Sequence, residues 1–186
     1  MITLNTHFLK CSESVQKAAK KMLYRSVDGV FIEETDTERK YYTTDGHLLL
    51  FYREKIEKKQ IEKPIRIMFE KIPATKQDTC DFEIINDKEA TITNNKGKTI
   101  VQYIYLEDTK DLDEIKKIFE REQNGHAATN FVLFSPLVLE VVSSYMDYDY
   151  YTMPTITDDG TPSFCPVMWA SPDGDKKAIA MPCRVV

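Results

Sequence analysis

A chain of 186 residues with 42% hydrophobic and 30% charged side chains has the make-up of a soluble globular protein, long enough for one large domain or two small ones. No apolar run approaches the ~18 residues that span a bilayer, and residues 1–17 lack the basic start and apolar stretch of a secretion signal, so the chain reads as cytoplasmic with no membrane partner. The net charge of -5 excludes a surface coated in positive charge for nucleic acid but leaves room for one basic face.

Residues 2–10 alternate well enough for a strand, and the pattern predicts a helix over 12–25, with Ser12 or Ser14 as N-cap and Glu13 in the first turn. Val15, Ala18, Ala19, Met22 and Leu23 form its apolar stripe, while Lys17, Lys20, Lys21 and Arg25 fall largely on the other side. Two β-rich runs then flank Thr35-Asp36-Thr37, a hairpin loop. The second run leads into "TTDGHLLLFYRE", where Asp45-Gly46 is either a tight turn or part of a site. The lysine- and glutamate-rich stretch that follows, with Pro64 and Pro73, reads as a surface crossover holding a short strand or helical turn. Residues 81–106 give three more strands, with turns at Asp87-Lys88 and Asn94–Gly97.

Residues 111–122 predict a short amphipathic helix with Leu112, Ile115, Ile118 and Phe119 on one face. "NFVLF" is expected as a strand, Ser135-Pro136 as the N-cap and first position of an apolar helix, and the remainder as three strands. A strand, helix, three-strand unit therefore recurs at least twice, which fixes an α+β class with helices on one face of antiparallel sheets. The expected boundaries are 1–106 for one domain and 107–186 for a second, smaller domain or half-domain. Cys11, Cys80, Cys165 and Cys183 are scattered and read as free thiols, and His7, His47 and His126 are too isolated to build a metal site. Asp45 and His47 have no third partner or nucleophile placed near them by sequence. No catalytic residue and no cofactor are therefore assigned, and a metal-dependent nuclease would need divalent binding that the scattered carboxylates do not predict.

Two stretches carry a resemblance. "TTDGHLL", with the ungapped run "VDGVFIEETDTERKYY" before it, resembles the TDGHRL signature of bacterial DNA polymerase sliding clamps, the β subunit of the replicase. The final "AIAMPCRVV" is similar to the V-V-M-P-M-R-L end of that family, and "FSPLVLEVV" resembles the helix before its last strands. The first ~55 and last ~60 residues carry the likeness, and the middle fits by pattern.

The resemblance implies a DNA-clamp-like fold of repeated β-α-β-β-β modules and a groove that takes short peptides from a polymerase or other clamp-binding proteins. One wall would be Val27, Thr44, Gly46, His47, Leu48 and Leu49; the other would be Ile179, Ala180, Met181, Pro182, Cys183 and Arg184. Leu48 stands where the family has Arg, which removes a polar fixing point, and Cys183 stands where it has Met, which makes a shallower pocket. Lys17, Lys20, Lys21, Arg25, Lys116 and Lys117 would face duplex DNA without sequence specificity. A closed ring would require a homo-oligomer. The alternative is a monomeric clamp mimic that captures clamp-binding peptides without encircling DNA.

Overall fold

The computed structural model describes residues 1–19, 28–122, 134, 136–146, 151–154 and 167–181, with backbone alone at 19, 119–122 and 151–154. The first unit is β1 (Ile2–Asn5), α1 (Thr6–Ala19), β2 (Val30–Glu34), β3 (Glu38–Thr44) and β4 (Leu48–Lys55). The middle supplies β5 (Ile65–Met68), β6 (Thr79–Ile84), β7 (Glu89–Asn94) and β8 (Gly97–Tyr105) without a helix among them. The last part holds α2 (Lys110–Glu122), α3 (Pro136–Met146), β9 (Tyr151–Pro154), β10 (Val167–Ala170) and β11 (Lys176–Ala180). The α+β class is as expected, and the helix–three-strand order appears in α1 with β2–β4 and in α3 with β9–β11. The expected strand "NFVLF" lies outside the described residues except for Phe134, whose ring meets Trp169 edge-on at 4.9 Å.

The eleven strands of the described residues join one antiparallel sheet in the order β1-β6-β7-β8-β5-β2-β3-β4-β11-β10-β9. Residues 1–106 thus supply eight neighbouring strands and residues 107–186 the other three, joined where β4 pairs β11. The β5 strand is central, between β8 and β2, with Ile65 and Ile67 buried. The short strand expected in this stretch is present, but its expected place on the surface is corrected: both of its edges are paired, which puts it in the middle of the sheet.

Helix α1 begins at Thr6, earlier than the spacing after Ser12 suggested. Asn5 is the cap, its Oδ1 accepting from the Phe8 N–H at 2.8 Å. Phe8, Leu9, Ser12, Val15 and Gln16 form the buried stripe. Ser12 lies inside the helix, its hydroxyl donating to the Leu9 carbonyl at 2.7 Å. "TLNTHFLK" alternates in a way that suits a strand and also suits a helix entered at residue 6, so the cap decides the boundary.

Strand alternation divides the core. Leu48 and Leu50 of β4, Ala178 and Ala180 of β11, and Val30 and Ile32 of β2 pack with Phe8, Val15, Val142 and Tyr145 from α1 and α3. Leu49, Phe51, Ile179, Phe31, Tyr42 and Met168 point the other way and pack with Leu112 and Ile115 of α2. The expectation of helices on one face holds for α1 and α3, while α2 covers the opposite face. Two apolar faces on these strands require cover on both sides.

The outer edge of β1 is closed by side chains from β3. The Thr3 carbonyl accepts from the Arg39 guanidinium, and the Asn5 N–H donates to the Tyr41 hydroxyl at 3.2 Å. Arg39 also bonds Glu34 at 2.6 Å, Glu54 at 3.2 Å and Gln60 at 2.9 Å, while Tyr41 donates to Glu54 at 2.5 Å. Burial, then the Glu54 carboxylate, holds the Tyr41 phenol well above its ordinary range. Arg39 and Glu34 have side chains only 4% and 0% exposed, so removing the cation would strand a carboxylate in the core. Arg39→Met is expected to cost about 3–5 kcal/mol in urea unfolding, against less than about 1 kcal/mol for an exposed pair such as Lys63–Glu107.

Candidate functional site

The segment after β3 folds into a tight turn because each of its residues has a backbone task. Asp45 N–H donates to the Leu48 carbonyl at 3.2 Å, leaving Gly46-His47 as a two-residue loop. Gly46 has φ +88°, a conformation that L side chains rarely adopt, and open space where a Cβ would stand. One Asp45 carboxylate oxygen accepts from the N–H groups of His47 at 2.8 Å and Leu48 at 2.7 Å, and Thr44 Oγ1 accepts from Gly46 N–H at 3.0 Å. Asp45 is thus a turn cap, and His47 is displayed at the tip, exposed.

The seam between β4 and β11 brings the chain's other distinctive stretch to this turn. Leu48 pairs with Ala180 and Leu49 with Ile179, and the Met181 N–H donates to the His47 carbonyl at 2.9 Å. Two motifs far apart in sequence are therefore neighbours in space. Their side chains divide by alternation. Leu48 and Ala180 enter the α1–α3 side of the core and Leu49 and Ile179 the α2 side, all at most 4% exposed. Thr44 is buried as well. The surface of the site is made by Gly46, His47 and the 40%-exposed Met181. Leu48 occupies a core position, so a long cation there would have to leave the α1–α3 packing. Val27, Pro182, Cys183 and Arg184 lie outside the described residues.

The lysines expected to share a surface are separated. Lys17 is exposed on α1 and lines a cleft of about 350 Å³ with Phe69, Glu70 and Lys71. Lys116 and Lys117 stand on α2, on the opposite side of the sheet. Lys116 pairs with Glu33 at 2.6 Å and Lys117 with Glu114 at 2.8 Å. Lys20, Lys21 and Arg25 lie outside the described residues. Cys80 is a free thiol, which burial pushes up to about 11, and Cys11 Sγ lies 3.8 Å from His7 Nε2. Among the described residues, no group of three or more His, Cys, Asp or Glu could hold a metal, and no helix is long and apolar enough to cross a membrane.

Sequence reasoning missed a second turn that the seam relates to the first by an approximate two-fold. At the far end of the ladder Asp173-Gly174-Asp175 precedes β11 as Asp45-Gly46-His47 precedes β4. Gly174 has φ +73°, and Asp173 Oδ1 accepts from the Asp175 N–H at 3.0 Å. There the Asp175 carbonyl accepts from Arg53 N–H at 2.8 Å, the counterpart of the Met181–His47 bond. The repeated Asp-Gly before an apolar strand was the available signal. Since Gly46 meets no neighbour where a Cβ would sit, Gly46→Ala should cost only its backbone strain, about 1–2 kcal/mol in chemical denaturation, with the fold retained.

No family model and no curated protein matches the chain. Solved structures do match. The DNA polymerase III β subunit of Thermotoga maritima has 16% identity and a TM-score of 0.55, over 100% of this chain and 65% of that one. A putative DNA polymerase III β subunit from Eubacterium rectale has 9% identity and a TM-score of 0.60, over 99% and 65%. The DNA polymerase sliding clamp of Pseudomonas aeruginosa has 11% identity and a TM-score of 0.59, over 99% and 66%. The chain thus spans about two thirds of the length of the structures it matches. At these identities the likeness is one of fold, and the fold is that of the bacterial sliding clamp.

Proposed function

We propose that this chain is a sliding-clamp-like, non-catalytic replication processivity factor that tethers a polymerase or other partners to DNA through a peptide site at the Asp45 turn. The observation that carries this reading is the bond between Met181 N–H and the His47 carbonyl, made within a clamp fold. It sets an exposed imidazole beside an exposed, adaptable thioether on a rigid strand pair, a rim that suits a short peptide with apolar anchors. The buried Leu48, Leu49, Ile179 and Ala180 serve as its foundation, and Pro182, Cys183 and Arg184 are the residues that the family resemblance would assign to the second wall. The two units 1–106 and 107–186 meet along the seam and act together. The setting is the cytoplasm.

DNA would run past α1, with Lys17, Lys20, Lys21 and Arg25 giving loose, salt-sensitive contact to phosphates. Encirclement would need several copies. One observation favours the second reading, a monomeric clamp mimic. The exposed side chains of α3 include Leu137, Leu139 and Glu140 and no cation, so the helix beside α1 does not extend a basic surface.

Light scattering over a concentration range separates the two readings: a discrete multimer is expected for the encircling form, and a strict monomer overturns it. Calorimetric titration with a short peptide bearing two adjacent leucines tests the site. His47→Ala and Met181→Ala are each expected to weaken binding about five- to tenfold, an effect of roughly 1 kcal/mol. Unchanged binding in both variants would remove the turn from the peptide site.

A further inference from the structure

The second turn shares with the first an aspartate followed by a left-handed glycine and a backbone bond across the seam, but its loop is longer and its chemistry different. On the α2 side of the sheet, Lys40, Arg53 and Lys177 lie across β3, β4 and β11. Lys40 is the cross-strand partner of Arg53, and Lys177 is the partner of Phe51, two residues from Arg53. Like charges set this close repel, so such a row needs compensation. Glu38 lies 3.7 Å from Lys40 and 3.5 Å from Arg53, and Asp175 lies 2.8 Å from Arg53. Lys177 has no carboxylate partner among the described residues. Its ammonium stands over the Phe51 ring at 5.8 Å, and its pKa is lowered by burial and then by Arg53. A half-buried cation kept beside another cation, with no carboxylate among the described residues to neutralise it, is a place for an external anion.

We propose that Lys177, Arg53 and Lys40 form a second docking point, which takes an extended acidic peptide segment of a protein partner. Neighbouring strands are about 4.8 Å apart and alternate residues of an extended peptide about 6.6 Å apart, so carboxylates at alternate positions can meet cations on successive strands. Glu38, Asp173 and Asp175 are interspersed with the cations. They leave gaps that separate carboxylates can use and that repel the continuous phosphates of a duplex. The site lies at the opposite end of the seam from His47 and Met181, about 20 Å along the ladder at strand rise, and does not depend on what the first turn binds.

Fluorescence anisotropy with the full chain tests this. The probes are a labelled decapeptide of alternating Glu and Ser, the same peptide with Gln for Glu, and a short labelled DNA duplex. The Glu peptide should bind, and Lys177→Gln should weaken it about tenfold or more, Lys177→Arg much less, and Met181→Ala not at all. The leucine peptide used for the first site should show the reverse pattern, so failure at one site is told apart from failure at the other. Three results would each overturn the proposal: no binding of the Glu peptide, equal binding of the Gln peptide, or indifference to Lys177→Gln. Tighter binding of the duplex, sensitive to Lys177→Gln, would replace the peptide with nucleic acid and so also overturn it.

Discussion

The five-residue ladder between β4 and β11 is the constraint on which the rest of the structure depends. It joins the first unit to the last and sets the Asp45 turn beside Met181. Side chains reinforce it across both halves. Tyr145 of α3 donates to the Phe51 carbonyl at 2.5 Å, and Arg53 Nε donates to Asp175 at 2.9 Å. A buried Tyr145 hydroxyl without that acceptor would cost about 1–3 kcal/mol, so α3 is tied to β4 as well as to its own strands. His7 of α1 adds a stacked contact with the same tyrosine and a 3.1 Å contact to its carbonyl.

Because strands alternate, one ladder serves two cores. Leu48 and Ala180 face α1 and α3, while Leu49 and Ile179 face α2. A one-residue slip would exchange these sets and move the turn away from Met181. Burial on both faces therefore fixes the geometry of the surface site, although most of the residues that do so never reach the surface. The two ends of the ladder differ in chemistry. One pairs a histidine with a methionine across a backbone bond; the other is cross-linked by an ion pair and surrounded by cations.

Much of this was legible in the sequence. The strands of the hairpins at Thr35–Thr37 and Asn94–Gly97 followed from alternation and turn residues. "TTDGH" and "AIAM" pointed to one another through the family resemblance, and in the fold they are adjacent. Other features depended on tertiary context. The α1 start rests on Asn5, one cap in a segment whose alternation also suits a strand. The central place of β5 follows from pairings with β2 and β8 that a four-residue run cannot announce. Periodicity gave the apolar stripe of α2 but not the face it covers, so Lys116 and Lys117 ended on the side away from Lys17. Leu48 and Leu49, adjacent in sequence, looked like one wall and instead face opposite cores.

Site-resolved amide hydrogen exchange is the most direct measure of the central claim, that the seam builds the site from both ends of the chain. Met181 and Arg53 amides should both be protected, as partners of the His47 and Asp175 carbonyls. Adding a leucine-bearing peptide should raise protection at 46–49 and 179–181 together while leaving Arg53 unchanged. A Met181 amide exchanging at the rate of an unstructured chain, or peptide protection confined to one of the two stretches, would contradict the account.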